Sequence, residues 1–278
     1  MTSRAPDTAT LALERLIENE RRILAAALAI ASLFAWGYLL AGAGTGMSPA
    51  AMSTWQFPPK AATLFGPAAW SPAYAMAMIV MWFVMMIAMM LPSAAPMMMI
   101  YARVFRQGQR HGQIAGEGAP PVAAFAGGYL VCWLGFSVLA TALQYALEHA
   151  GLVDGMWMWA LNRYLTAGLL IGAGLYQLSP LKTVCLSHCR SPAAYLAGKW
   201  RAGPGGAFRL GIEHGAYCLG CCWVLMLLLF AGGVMNLVWI AGLTILVLLE
   251  KLAPFGARLR VPIAVLLIAG GLGIAILK

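Results

Sequence analysis

Residues 73–100 read AYAMAMIVMWFVMMIAMMLPSAAPMMMI, 28 positions without one charged side chain. That exceeds the ~20 apolar residues a helix needs to cross a hydrocarbon core ~30 Å thick. Only a helix suits such a run, because lipid leaves the backbone polar groups of an open strand unsatisfied. Working outward, comparable stretches cover residues 23–41, 121–147, 157–178, 210–230, 234–249 and 261–277. The expected fold is all-α, a polytopic transmembrane helix bundle of about seven spans.

Composition agrees. Of 278 residues, 62% are hydrophobic and 10% charged, against ~25% charged in a soluble domain. A water-soluble globule and a disordered chain are excluded. No stretch between spans is long enough for a second domain, so residues 23–278 form one transmembrane unit. Residues 1–22 form a cytoplasmic, interfacial segment in which Leu11, Leu13, Leu16 and Ile17 alternate with charges as in a short surface-lying helix. Ala41-Gly42-Ala43 resembles a signal cleavage site, but the apolar run before it is too long and its flank too acidic. A retained anchor is expected.

With seven spans, 15 of the 18 Lys and Arg fall on one side: Arg4, Arg15, Arg21 and Arg22; Arg103, Arg106 and Arg110; Lys182, Arg190, Lys199, Arg201 and Arg209; Lys251, Arg258 and Arg260. Lys60, Arg163 and Lys278 fall on the other. Basic loops stay cytoplasmic, so the N-terminus is expected inside and the C-terminus outside. The net charge of +9 then points to the lipid bilayer as partner and to no nucleic acid. Glu148, His149 and Asp154 read as a solvated outer loop, and Glu250 and Lys251 as charges in water at a helix end. Pro92 and Pro96 are expected to break the second span. Gly168 and Gly172 read as a small-residue face for close helix packing.

Five of six cysteines lie within 38 residues: Cys185, Cys189, Cys218, Cys221 and Cys222. Their loop is cytoplasmic by the charge argument, so structural disulfides are not expected. His188 and His214 share the window. On a helix, Cys185, His188 and Cys189 share one face, and His214, Cys218, Cys221 and Cys222 occupy an arc of about 100°. Thiol and imidazole on one stripe suit a soft or borderline metal, Cu(I) or Zn(II). Cys132, alone in the third span, reads as a small packing residue.

Ten of 17 methionines lie between Met76 and Met99. Met81, Met85 and Met89 stack at i, i+4, and so do Met86 and Met90. A thioether is a soft neutral ligand; it is also pliable core filling. At ~1.5 Å per residue from opposite faces, residues 85–90 and 218–222 reach touching depths in the inner half of the bilayer. The candidate metal ligands are therefore His214, Cys218, Cys221, Cys222, Cys185, His188, Cys189, Met85 and Met89. Glu213, Met86 and Met90 are candidates to support them from behind.

The runs Met85–Ser93, Tyr176–Lys182 with Cys185–Pro192, and His214–Trp223 resemble a bacterial family of predicted metal-binding integral membrane proteins, a domain of unknown function whose members are sometimes labelled copper chaperones. The resemblance covers about residues 73–251. It implies a multi-pass protein of the bacterial inner membrane that binds and passes a soft ion, Cu(I) with zinc as the alternative, through Cys, His and Met. A soluble metal carrier or a membrane complex is the implied partner. The competing reading is an enzyme, a membrane subunit of a metal-dependent or thiol redox system. Against it, Cys218-x-x-Cys221 lies inside a helix without a βαβ partner. No Walker A sequence supports an ATP-driven pump.

Overall fold

The computed structural model describes residues 8–44, 53, 69–112, 120–201 and 203–276, with side chains from Arg21 onward. The helices are α1 (Thr8–Leu40), α2 (Pro72–Arg110), α3 (Val122–His149), α4 (Arg163–Leu178), α5 (Pro180–Arg190), α6 (Pro192–Lys199), α7 (Gly203–Leu227), α8 (Leu229–Gly232), α9 (Leu237–Leu252) and α10 (Gly256–Ile276). Among the described residues no strand forms beyond one antiparallel bridge, Val153 with Ala160. Short polar side chains start four of the helices. Ser71 accepts from the Tyr74 amide, Asn162 from Tyr164, Ser179 from Lys182 and Asn236 from Val238, each satisfying an otherwise orphan donor. Pro72 and Pro180 occupy the first turn, where a missing N–H is harmless.

Among the described residues, five helical stretches are long and apolar enough to cross a membrane: Arg21–Leu40, Pro72–Arg110, Val122–His149, Gly203–Gly232 and Gly256–Ile276. The pair α4 and α5 would make a sixth, bent by 65° at Ser179. Helix α9 has 16 residues and falls short of that length. The stretch expected to begin the fourth span at Trp157 is not helical before Arg163. Asp154 accepts from the amides of Met156 and Trp157. The segment then docks on the α8 region, Ala160 N–H donating to Phe230 O. Apolarity here serves burial, not a helix.

Other expectations also change. Residues 11–23 belong to the single helix α1 rather than to a separate short helix. Residues 45–52 and 54–68 lie outside the described residues. Helix α2 passes through Pro92 and Pro96 without a break; inside a bundle, neighbours can satisfy what a proline frees. Asp154 and Glu148 are buried, not solvated. Glu148 accepts from Gln144 and Trp70, 2.8 Å each, and Gln144 accepts from Trp82 at 2.9 Å. His149 alone of that group is exposed.

Two helix pairs pack through glycine. A Cβ on Gly128 of α3 would stand 2.0 Å from Phe208 O of α7, and one on Gly211 of α7 would stand 2.0 Å from Phe125 O of α3. Helices α4 and α10 meet likewise at Gly174 and Gly271, whose Cβ atoms would lie 2.9 Å from Ala264 O and Ala167 O. Gly168 and Gly172 face open space, so the expected packing face is displaced to Ala167 and Gly174. The α3–α7 contact matters most, because it brings Tyr129 against the cysteines of α7.

Candidate metal centre

Sulfur converges at the middle of the bundle. Cys218, Cys221 and Cys222 of α7 are all about 1% exposed. The Cys221 and Cys222 thiols donate to Cys218 O at 3.1 and 2.9 Å. The Cys189 side chain, from α5, hydrogen-bonds that of Cys221. Cys221 in turn contacts Cys222, and Cys222 contacts Cys218. The four thiols run as a chain instead of closing round one point. Among the described residues, no group of three or more His, Cys, Asp and Glu side chains is placed to hold a metal ion.

A thioether completes the chain. Met90 Sδ lies 3.7 Å from Cys222 Sγ. Two sulfurs ~2.3 Å from one ion in a tetrahedral shell stand ~3.8 Å apart, so this pair already has the spacing of two ligands on one ion. The sulfur that reaches α7 thus comes from the row given only a supporting place. Met85, Met86 and Met89 are fully buried in the same core, but the recorded sulfur contact is with Met90. Tyr129 bridges the helices: its hydroxyl lies 3.1 Å from both Met90 O and Cys218 Sγ.

The main departure from the sequence reading is Lys251. It is 6% exposed, not a charge in water. Its Nζ donates to Cys218 Sγ at 2.9 Å and to Ser93 Oγ at 3.2 Å. Ser93 in turn donates to Met90 O at 2.8 Å. Glu250 is buried too, bonded to Lys182 Nζ at 2.7 Å and to Gln177 Nε2 at 2.9 Å. Lys182, counted among the loop charges, is fully buried. The warning was present in the sequence: an adjacent Glu250-Lys251 closing an apolar run is costly in a membrane.

Three candidates stand apart from the thiol chain. Cys185 packs on Gly220, where an added Cβ would meet its sulfur at 2.7 Å. His188 hydrogen-bonds with Val184 O at 2.8 Å and stacks on Tyr217 with ring centroids 4.1 Å apart. His214 is buried among Tyr129, Phe125 and Tyr195, with centroids 5.8, 6.0 and 6.4 Å away. Glu213 does not orient it: its carboxylate bonds Arg201 at 3.1 Å, Lys199 and Tyr195 at 3.3 Å each, and ion-pairs with Arg209 at 3.7 Å. That carboxylate holds the Lys199 ammonium above its ordinary range, and burial pushes the Tyr195 hydroxyl up. Cys132 sits against Gly215 and donates to Ile212 O at 3.2 Å, a packing position.

A family model described as a copper chaperone (PpoB2) matches residues 79–274. No curated protein and no solved structure matches the chain. The matched stretch contains every sulfur of the convergence, from Met85 to Cys222, and Lys251.

Proposed function

We propose, on the premise that this chain belongs to the PpoB2 copper chaperone family, that it handles Cu(I) as cargo within the membrane. The ion is taken, held and passed on through soft ligands. The observation that carries this reading is the meeting of Met90 and Cys222 at 3.7 Å beside Cys218. Thiolate and thioether together favour Cu(I). Structural zinc sites take four N, O or S ligands in a closed shell, and a thiol chain with one thioether suits an ion content with fewer. Cys222, Cys218 and Met90 would hold the ion. Cys221 and Cys189 would form the next step toward the α5 face, with Cys185 beyond them. His188 and His214 would line the way from the mouth, where the tyrosines and Glu213 lie.

The rest of the reading concerns placement. Seven spans follow if α4 with α5 makes one crossing and α9 makes another, its 16 residues spanning ~24 Å at ~1.5 Å each. The N-terminus is then cytoplasmic, in a bacterial inner membrane, and the end of α5 at Arg190, with α6 after it, faces the reducing side. A soluble carrier or a membrane complex would give or receive the ion there.

The test is Cu(I) affinity measured by competition with a chelator under anaerobic conditions. Cys218→Ser combined with Cys222→Ser is expected to abolish tight binding while the chain still inserts. Unchanged affinity would overturn the reading.

A further inference from the structure

Lys251 lies inside the bundle, where its Nζ donates to Cys218 Sγ and Ser93 Oγ and to no carboxylate among the described residues. The nearby Glu250 carboxylate is taken by Lys182 at 2.7 Å, both side chains being almost wholly buried, so that pair cancels itself. Arg190 donates to the backbone oxygens of Glu250, Lys251 and Pro254 at the end of α9, where the helix dipole is negative. A buried ammonium without an anion is costly. The nearest group able to become an anion is the Cys218 thiol, 2.9 Å away.

We infer that Lys251 is the residue that sets the charge of the ion this site accepts, matching it to a monovalent soft cation and against a divalent one. The inference rests on the copper reading above and adds the selectivity that the ligands alone do not supply. With Cys189, Cys221 and Tyr129 protonated, thiolates at Cys218 and Cys222 bring two negative charges, and Met90 and Ser93 are neutral. Lys251 brings one positive charge. A monovalent ion closes the sum at zero, whereas a divalent ion leaves one positive charge inside a bundle that excludes water. Ligand softness alone would admit Zn(II) or Cd(II) to the same sulfurs; the fixed ammonium opposes them. Lys251 touches the Cys218 sulfur directly, while Met90 meets Cys222.

The experiment uses the full chain in lipid nanodiscs with Ag(I) and Cd(II) as probes. Both are soft, closed-shell d10 ions differing by one unit of charge. Dissociation constants come from chelator competition. In Lys251→Gln the preference for Ag(I) over Cd(II) is expected to fall at least ~10-fold, well within the effect of a unit charge about 4 Å away at an effective dielectric near ~20. Ser93→Asp, which sets a carboxylate beside Lys251 while leaving it in place, is expected to lower the preference in the same direction. Lys251→Arg keeps the charge and should stay within about threefold of the parent. An unchanged ratio in Lys251→Gln or Ser93→Asp, or equal weakening of both ions, would overturn the inference and leave the copper reading standing. A parent chain that binds neither ion would remove the copper reading and the inference with it.

Discussion

Removing the charge of Glu250 tests whether the buried ion pair is a requirement of this bundle. Lys182 and Glu250 are 0% and 2% exposed, and their atoms meet at 2.7 Å. Glu250→Gln keeps the shape and a hydrogen-bond acceptor for Lys182 but leaves the ammonium uncompensated. Breaking a buried pair from one side costs about 3–5 kcal/mol, while replacing both partners by apolar groups is often neutral. At ~2–4 °C per kcal/mol for a chain of this size, Glu250→Gln should lower the melting temperature by roughly 6–20 °C. Lys182→Met should be damaged by a similar amount, because Glu250 then stands unpaired. The double variant Lys182→Met with Glu250→Leu should recover most of the loss. Thermal unfolding in one detergent, followed by circular dichroism, measures all four chains. A single-variant shift under about 2 °C, or a double variant no better than the worse single, would refute the reasoning. The pair would then have to be solvated, and the argument for Lys251 as a site charge would lose its neutral surroundings.

Four further outcomes are expected. Met90→Leu should weaken Cu(I) binding at least ~10-fold with little loss of folding, since the volume is kept, whereas Met85→Leu with Met89→Leu should change affinity far less; chelator competition compares them, and the reverse order would put the ion on the other row. Gly211→Ala should force α3 and α7 apart by about 1 Å, because its Cβ would meet Phe125 O at 2.0 Å, while Gly168→Ala and Gly172→Ala face open space and should hold or raise the melting temperature by the helix preference of Ala, ~1 kcal/mol each. Cys132→Ser should leave Cu(I) affinity unchanged, as its thiol donates to Ile212 O and packs at Gly215; a fall would draw α3 into the ligand set. A topology reporter after Lys278 should score external and one near Gly205 cytoplasmic; a cytoplasmic C-terminus would give an even number of spans and remove the argument that the thiols face a reducing compartment.

The helices that were legible are those whose signal is local. Residues 73–100 and 121–147 lie within or nearly within Pro72–Arg110 and Val122–His149, because length and unbroken apolarity decide a lipid-facing helix before any neighbour does. Residues 157–162 were misread for the same reason. Trp157 to Leu161 are apolar enough for a span, yet Asp154 turns the chain and Phe230 O takes the Ala160 amide, a long-range partner that no local pattern shows. The small-residue rule found glycines but not their faces. Gly168 and Gly174 sit on the same helix, and only the position of α10 decides which one is in contact.

The candidate site divides along the same line. That Cys218, Cys221 and Cys222 share a stripe follows from helical spacing alone, and so does the alignment of Met86 with Met90. Which methionine row meets the stripe depends on the rotation of α2 about its axis, which packing sets, and spacing could not choose between Met89 and Met90. Lys251 is a different kind of omission. Its residue type, read one helix at a time, says interface, because a lysine at the end of α9 can ordinarily reach water. Its side chain is buried between α2 and α7, against Ser93 and Cys218, while Lys182 and Arg190 of α5 hold the end of α9 through Glu250 and its backbone. Once that cover is in place, the charge of Lys251 needs an anion, and the nearest group able to supply one is the thiol at 2.9 Å. The ligand chemistry and the charge balance thus rest on different parts of the chain: the proposed ligand sulfurs on α2 and α7, and the ammonium on α9, whose end is fixed from α5. A change at Lys182 or Arg190, which touch no sulfur in the thiol chain, should therefore alter ion selectivity before it alters the geometry of the thiols.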